Sequence, residues 1–116
     1  MNASDGRVVY EVNVQVDASI ADACHDWLNG HVQQMLGLPG FVSARMHQVL
    51  EPAPADGQAA WCVHYLLRDT AALDDYLREH APRLRADGVT RFGNRFRTSR
   101  RVMREVPIHT GATKRM

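Results

Sequence analysis

The sequence has no long apolar run, few cysteines and almost no net charge. None of its apolar runs approaches the roughly 20 residues that a transmembrane helix requires. The start of the chain also carries no basic segment followed by an apolar one, so we expect a cytoplasmic protein rather than an exported or membrane protein. A net charge of +1 over 116 residues argues against a general binder of nucleic acid.

Common metal and redox motifs are absent too. The two cysteines, Cys24 and Cys62, lie far apart in the chain, a spacing that indicates free thiols rather than a zinc or redox pair. The six histidines form no His-x-His or His-Glu-x-x-His motif. We therefore predict no metal and no cofactor.

Alternating apolar residues predict four strands. Residues 8–16 alternate between valine or tyrosine and polar residues, which is the period of a half-buried strand. Similar alternation predicts strands over 41–51, 60–68 and 95–106. Only a short loop rich in turn formers, residues 52–58, separates the second and third strands, so these two should pair directly as an antiparallel hairpin. The polar segment 107–116 is expected to be a flexible tail.

Apolar residues at steps of three and four predict a helix after the first strand and another after the third. The first helix should begin near Ser19, capped within residues 17–19, and end near Leu36. The second should be capped by Asp69 or Thr70, and Pro82 should kink it or split it into two short helices before Phe92.

The order strand, helix, strand, strand, helix, strand predicts an α+β fold of the ferredoxin-like βαββαβ type. One domain over residues 7–106 would contain a four-stranded antiparallel sheet with helices on one face. Strand alternation assigns nine residues to the helix-facing side: Tyr10, Val12, Val14, Val42, Ala44, Met46, Trp61, Val63 and Tyr65. The uncovered face would carry Glu11, Asn13, Gln15, Arg45, His47, Cys62, His64 and Leu66, and could be solvated surface, a self-association face or a cavity wall.

The C-terminal strand and its approach are rich in arginine. Such a run could contact phosphate, but the third strand lacks the Arg/Lys-Gly-Phe-Gly/Ala-Phe pattern that supplies the stacking platform of RNA-recognition motifs, so we predict no nucleic-acid partner. We expect these arginines to pair with Asp74, Asp75, Glu79 or Glu105, or with a partner subunit. Arg45 and Glu11 could form a polar patch on the uncovered face.

Three segments carry a resemblance to a known family. They are "EVNVQV" in the first strand, "DWLNGHVQQMLGLPGFVSARMHQVL" across the first helix and second strand, and "DDYLREHAPRLRADGVTRFGNRF" in and after the second helix. Over residues 8–106 the chain resembles an uncharacterised bacterial family of short proteins in the dimeric α+β barrel superfamily. That superfamily also holds cofactor-free monooxygenases, haem-degrading enzymes and muconolactone isomerases, so the resemblance implies a fold and a homodimer more than an activity.

The resemblance implies a dimer that closes a barrel through the uncovered sheet faces, where Glu11, Asn13, Arg45, His47 and His64 would lie. It also implies a ligand site, either in the cleft between the sheet and the helices of one subunit or in the barrel. In this sequence the cleft would be lined by Tyr10, Trp27, His31, Trp61, Tyr65, Tyr76 and His80.

His31 and His80 are the candidate catalytic residues, because an imidazole in a dry pocket can act as a general base. His31 could equally be a half-buried packing residue. Asn13, Trp61 and His80 are rough counterparts of the residues used by the haem-degrading branch, although strand alternation sends Asn13 and Trp61 to opposite faces.

Three hypotheses for the function stay open at this point. The first is a homodimeric binding or accessory protein with a small-molecule pocket between the first helix and the sheet. The second is a cofactor-independent monooxygenase or isomerase that uses the same pocket, and the third is a purely structural dimer with a filled core. A closed cleft would favour the third hypothesis, and an open cleft with an unpaired histidine would favour the second.

Overall fold

The computed structural model describes residues 6–109. Four strands and three α-helices follow one another as β1 (Val8–Asp17), α1 (Ala21–Leu36), β2 (Phe41–Gln48), β3 (Gln58–Leu67), α2 (Thr70–Glu79), α3 (Ala81–Phe92) and β4 (Phe96–Arg104). Single turns of 3-10 helix precede α1 and β4. Within 6–109, none of the helices has both the length and the apolar character needed to cross a bilayer. Most of the predicted tail, residues 110–116, lies outside the described residues.

The four strands form one antiparallel sheet in the order β2-β3-β1-β4. The two central strands, β1 and β3, are far apart in sequence, and the β2–β3 hairpin adds the edge strand at one side. Val12 at the centre of β1 lies opposite Val63 on β3 and Arg100 on β4. The predicted ferredoxin-like α+β fold is confirmed.

The core lies between the sheet and the three helices. Alternate residues of β1 and β3 supply its floor, because successive side chains of a strand point to opposite faces. Leu28 and Met35 of α1, Leu73 of α2 and Leu84 of α3 supply its roof. The alternation predicted for the first and third strands therefore gives the correct faces.

The prediction for the second strand is wrong at Val42. A register shift between Phe41 and Ser43 interrupts the pairing of β2 with β3, so alternation does not continue through this point. Val42 is 49% exposed, and Phe41 instead packs edge-on against Tyr65 and Tyr76.

Both helix predictions hold in their main features. Pro82 lies in the first turn of α3, where its missing N–H is harmless, and the chain breaks between α2 and α3 at His80. Asp69 caps α2 by accepting a hydrogen bond from the Ala72 N–H at 2.8 Å. The predicted side-chain cap of the first helix is wrong, since Asp17 instead accepts a hydrogen bond from the Gln58 side chain.

Gly40 connects α1 to β2 at a point where the chain approaches α2 closely. Its φ is +85°, in the region that favours glycine, and its carbonyl accepts a hydrogen bond from the Arg68 N–H at 2.8 Å. A Cβ at this position would overlap the side chain of Ala72. This glycine fixes the distance between the α1–β2 turn and the start of α2.

Candidate functional site

A cleft of about 200 Å³ lies between α1, α3 and the helix-facing side of β1 and β4. Val89 at its rim is 60% exposed, so the cleft can be reached from solvent beside α3. Its walls are mainly apolar and aromatic, as is usual for small-molecule sites. The lining residues are Tyr10, Val12, Val14, Trp27, Leu28, His31, Met35, Tyr65, Tyr76, Leu84, Arg85, Val89, Phe96, Thr98 and Arg100.

Trp27 of α1 is held in one orientation at the end of the cleft. Its indole N–H donates a hydrogen bond to the Asp87 carboxylate at 2.8 Å, and its ring meets Phe96 edge-on at 5.6 Å. This hydrogen bond is the main reason that the pKa of Asp87 lies below its ordinary value. Gly88 allows α3 to pack here, because a Cβ would stand 2.9 Å from Phe96 and 3.1 Å from Trp27.

His31 stands one helical turn after Trp27 and stacks on it, with ring centroids 4.8 Å apart and planes at 18°. Burial lowers its pKa, the nearby Asp87 opposes that shift, and the charge of Arg100 adds to it. The ring is therefore neutral at pH 7. Among the described residues it has no hydrogen-bond partner, so a ring nitrogen is available to a molecule in the cleft.

Three tyrosines form the opposite wall of the cleft. The ring of Tyr10 lies 6.0 Å from that of Tyr65 and 5.6 Å from that of Tyr76. Burial is the main cause of the raised pKa of both Tyr65 and Tyr76, which keeps their hydroxyl groups protonated at neutral pH. The Tyr65 hydroxyl can donate a hydrogen bond to a ligand, whereas the Tyr76 hydroxyl is already hydrogen-bonded to Tyr10.

Two arginines enter the cleft from different elements. Arg85 on α3 donates a hydrogen bond from its guanidinium to the Tyr10 hydroxyl at 3.0 Å. Arg100 on β4 reaches the cleft because it lies opposite Val12 on the helix-facing side of the sheet. Neither residue was predicted from the sequence: Arg100 was grouped with the other arginines of the C-terminal strand, and Arg85 lies outside that group, on α3. The alternation of β4, with Thr98 and Arg100 on one side, carries the signal that could have found Arg100.

Two residues that sequence analysis assigned to the cleft lie elsewhere. Trp61 is on the helix-facing side of β3 but packs against His25 of α1, with ring centroids 5.5 Å apart. His80 sits at the junction of α2 and α3, where Arg83 contacts its ring at 3.4 Å. Trp61 and His80 are therefore removed from the expected lining, whereas Tyr10, Trp27, His31, Tyr65 and Tyr76 come together there.

The proposed haem-site counterparts do not meet. Asn13 faces the uncovered side of the sheet, where its side chain donates to Glu11 at 3.1 Å. Trp61 faces the opposite side, and His80 lies at the helix junction. This chain therefore lacks that constellation within residues 6–109.

The uncovered face of the sheet contains a closed ion-pair network around Glu11. Both oxygens of this buried carboxylate accept hydrogen bonds from Arg101, at 2.7 and 3.0 Å, and one also contacts His64 Nε2 at 2.9 Å. The hydrogen bonds from Arg101 are the largest reason that the pKa of Glu11 falls to about 2; burial opposes the shift, and contacts with Asn13 and His64 add to it.

The expected pairings of the arginines are corrected by this network. Arg101, not Arg45, is the partner of Glu11, because Arg101 lies directly opposite Glu11 in the register of β1 and β4. Arg45 lies opposite His64, one strand further away. Arg91 pairs with Asp87 at 3.3 Å rather than with a carboxylate of α2.

One group of side chains on this face has the chemistry of a metal site. Ligand atoms of Glu11, Cys62 and His64 all lie within 4.8 Å of one another, and His47 is close to His64, with ring centroids 5.6 Å apart. Burial, helped by the charge of Glu11, raises the pKa of the Cys62 thiol, which disfavours the thiolate that a metal requires. Because the Glu11 oxygens are also occupied by Arg101, this arrangement is a satisfied ion-pair network rather than an open metal site.

Comparison with known proteins identifies the family. Residues 7–106 match the protein family described as "Domain of unknown function (DUF4286)". The chain belongs to this family. The resemblance to an uncharacterised family is thereby confirmed, and no curated protein sequence matches the chain.

Solved structures similar to this DUF4286 chain share its fold. A dimeric ferredoxin-like protein from an uncultured marine organism aligns with a TM-score of 0.69 at 10% identity, over 90% of this chain and 99% of the other. SnoaB from Streptomyces nogalater, a cofactor-independent oxygenase solved as a mutant, aligns with a TM-score of 0.65 at 12% identity, over 89% and 97%. Rv0793 from Mycobacterium tuberculosis aligns with a TM-score of 0.64 at 17% identity, over 90% of this chain and 99% of the other. At these identities the likeness establishes the fold alone.

Proposed function

We propose that this DUF4286 protein is a cytoplasmic homodimer that binds a small molecule in the cleft between α1, α3 and the sheet. The cleft itself is the observation that carries the proposal, because it is reached from solvent and its aromatic wall includes a histidine that has no hydrogen-bond partner among residues 6–109. A volume of about 200 Å³ is below the roughly 300–1,000 Å³ typical of sites for drug-sized ligands, so the ligand should contain one or two rings.

The proposed dimer interface is the uncovered face of the sheet. A similar structure is described as a dimeric ferredoxin-like protein, and pairing of two sheet faces would shield side chains that no helix covers. The ion pairs of Glu11 already satisfy the most buried charge on this face, so two copies could meet without leaving it unpaired. A reducing cytoplasm agrees with the two free thiols, Cys24 and Cys62.

Native mass spectrometry of freshly purified protein tests both parts of this proposal. We expect a dimer mass, together with an added small mass for retained ligand that is lost under denaturing conditions. Thr98→Phe should fill the cleft and remove the added mass without changing the dimer, whereas Asp74→Phe, on the exposed side of α2 and outside both the cleft and the uncovered sheet face, should change neither. A monomer with no retained mass would contradict the proposal and favour a protein with only a structural role.

A cofactor-independent oxygenase or isomerase is the second candidate, and His31 is the observation that favours it. A neutral, unpaired imidazole in an aromatic cleft can accept a proton from an activated phenol or carbon acid, which is the first step of such chemistry. A similar structure, SnoaB, is described as a cofactor-independent oxygenase. His31 would be the base, and Trp27 would hold it in place by stacking.

Turnover of an activated phenolic substrate, followed by oxygen uptake, distinguishes catalysis from binding. His31→Gln should abolish turnover, and the activity of the unchanged protein should fall as pH drops through the pKa of His31, because the protonated ring cannot act as a base. His25→Gln, on the exposed side of the same helix, is the matched control and should have no effect. Unchanged turnover in His31→Gln would remove His31 from the mechanism.

A further inference from the structure

The charges that line the cleft are all of one sign. Arg85 and Arg100 both line it, and no aspartate or glutamate among the described residues does. His31 adds no positive charge at pH 7, since burial, the largest effect, lowers its pKa; the nearby Asp87 opposes that shift and Arg100 adds to it. The lining of the cleft therefore carries two positive charges and no negative one, and Asp87, which acts on His31 from outside the lining, is already paired with Arg91 and Trp27.

Arg100 is the more informative of the two arginines. It lies in the middle of β4, is half-buried, and makes no hydrogen bond or ion pair with any residue of 6–109. Its neighbours on the same strand are engaged, because Arg101 binds Glu11 and Arg97 donates to the Gln58 side chain at 2.6 Å. A half-buried guanidinium beside apolar side chains is costly unless an anion or another acceptor joins it.

Arg85 approaches the same space from α3. One of its nitrogens donates to the Tyr10 hydroxyl, and the rest of its guanidinium remains at the rim of the cleft. Guanidinium groups bind carboxylates through two parallel hydrogen bonds, a geometry that a single amide or hydroxyl group cannot reproduce. Two arginines on facing elements can thus hold one anionic group between α3 and β4.

The remaining walls select for a flat ring. Trp27, Tyr10, Tyr76 and Phe96 offer aromatic faces and edges around the space that the arginines leave. Resting on the function proposed above, we infer that the cleft takes a small aromatic anion, such as an aromatic carboxylate, with its charged group on Arg100 and its ring among these aromatic side chains.

A matched pair of probes tests this inference by isothermal titration calorimetry. The probes are 1-naphthoate and 1-naphthamide, which have nearly the same shape and differ in charge. We expect the unchanged protein to bind the carboxylate at least about tenfold more tightly, since hydrogen bonds to charged groups are stronger than those between neutral groups. Arg100→Gln should remove this preference, and Arg100→Lys should retain part of it. Arg97→Gln, on the other face of the same strand, should leave it unchanged.

The outcomes separate this inference from the proposed function. Equal affinity for both probes, with no change in Arg100→Gln, would overturn the anionic ligand while leaving the cleft as a binding site. Failure of both probes to bind would overturn the proposed function as well. Thermal unfolding supplies a second measurement. Arg100→Gln should be at least as stable as the unchanged protein, because the substitution removes a charge that has no partner. A clear loss of stability would contradict the unpaired state of Arg100.

Discussion

The ion-pair network on the uncovered sheet face makes a quantitative prediction about acid stability. Glu11 is 5% exposed, and its two oxygens accept hydrogen bonds from Arg101, Asn13 and His64. We consider Glu11→Gln, which keeps the size of the side chain but removes its charge. The amide can accept at only one atom, so it cannot reproduce the paired hydrogen bonds to Arg101.

The magnitude follows from the pKa of Glu11. The hydrogen bonds from Arg101 are the main cause of its fall from an ordinary value of about 4.3 to about 2, which corresponds to about 3 kcal/mol of stability without solvent screening. Arg101 is 67% exposed, so screening reduces this contribution, and we expect about 1–2 kcal/mol for the loss in Glu11→Gln at pH 7.

The pH dependence carries a definite sign. Because the pKa of Glu11 is lower in the folded state than in the unfolded state, its contribution is complete above about pH 4.3 and disappears as the pH falls towards 2. The free energy of unfolding, measured in urea at fixed protein concentration, should therefore differ between the unchanged protein and Glu11→Gln at pH 7, and the difference should shrink below pH 4.

Glu79→Gln is the control for this experiment. Glu79 pairs with Arg78 on the exposed surface of α2, where an ion pair contributes little, so its removal should change the free energy of unfolding by less than about 0.5 kcal/mol at any pH. The reasoning is refuted if Glu11→Gln behaves like this control, or if its effect has the same size at pH 7 and pH 2.5.

Two further predictions concern the ends of helices and can be measured by urea denaturation at pH 7. Asp69→Ala should lower the free energy of unfolding by about 1 kcal/mol, because the Ala72 N–H loses its hydrogen-bond acceptor. Asp69→Asn keeps an acceptor and should retain most of the stability. Equal losses in both variants would show that the cap contributes little. Gly40→Ala should lower the free energy of unfolding by about 3 kcal/mol or more, because alanine must adopt a positive φ and its Cβ meets Ala72. Gly57→Ala also requires a positive φ but lies in open space, so it should lose only the part that comes from the backbone. Equal losses in the two variants would contradict the close approach of Gly40 to Ala72.

Much of the fold could be predicted because strand and helix periods are local properties of the sequence. Alternation along β1 and β3 placed the correct residues on each face, and Pro82 marked the break between α2 and α3. The error at Val42 arose because a bulge adds one residue to a strand without any clear signal in the sequence, and alternation then assigns the wrong face on one side of it.

The residues that line the cleft were harder to predict, because alternation gives the side of the sheet on which a residue lies but not its position relative to the helices. Trp61 lies on the expected side of the sheet, but next to His25 rather than beside Trp27. Arg100 was not singled out among the arginines of this segment, although adjacent strand residues such as Arg100 and Arg101 point to opposite faces of the sheet. Distinguishing Arg100 from Arg101 requires the register of β4 against β1, which depends on contacts between distant parts of the chain.

The most direct test of ligand binding in the cleft uses the two tryptophan indole N–H signals in a proton–nitrogen NMR spectrum. Trp27 lines the cleft and donates to Asp87, whereas Trp61 lies outside it, and the signals can be assigned with Trp61→Phe. During titration with 1-naphthoate, we predict a progressive shift of the Trp27 signal and no shift of the Trp61 signal. A shift of Trp61 alone, or no shift of either signal at concentrations where calorimetry detects binding, would contradict the cleft as the ligand site.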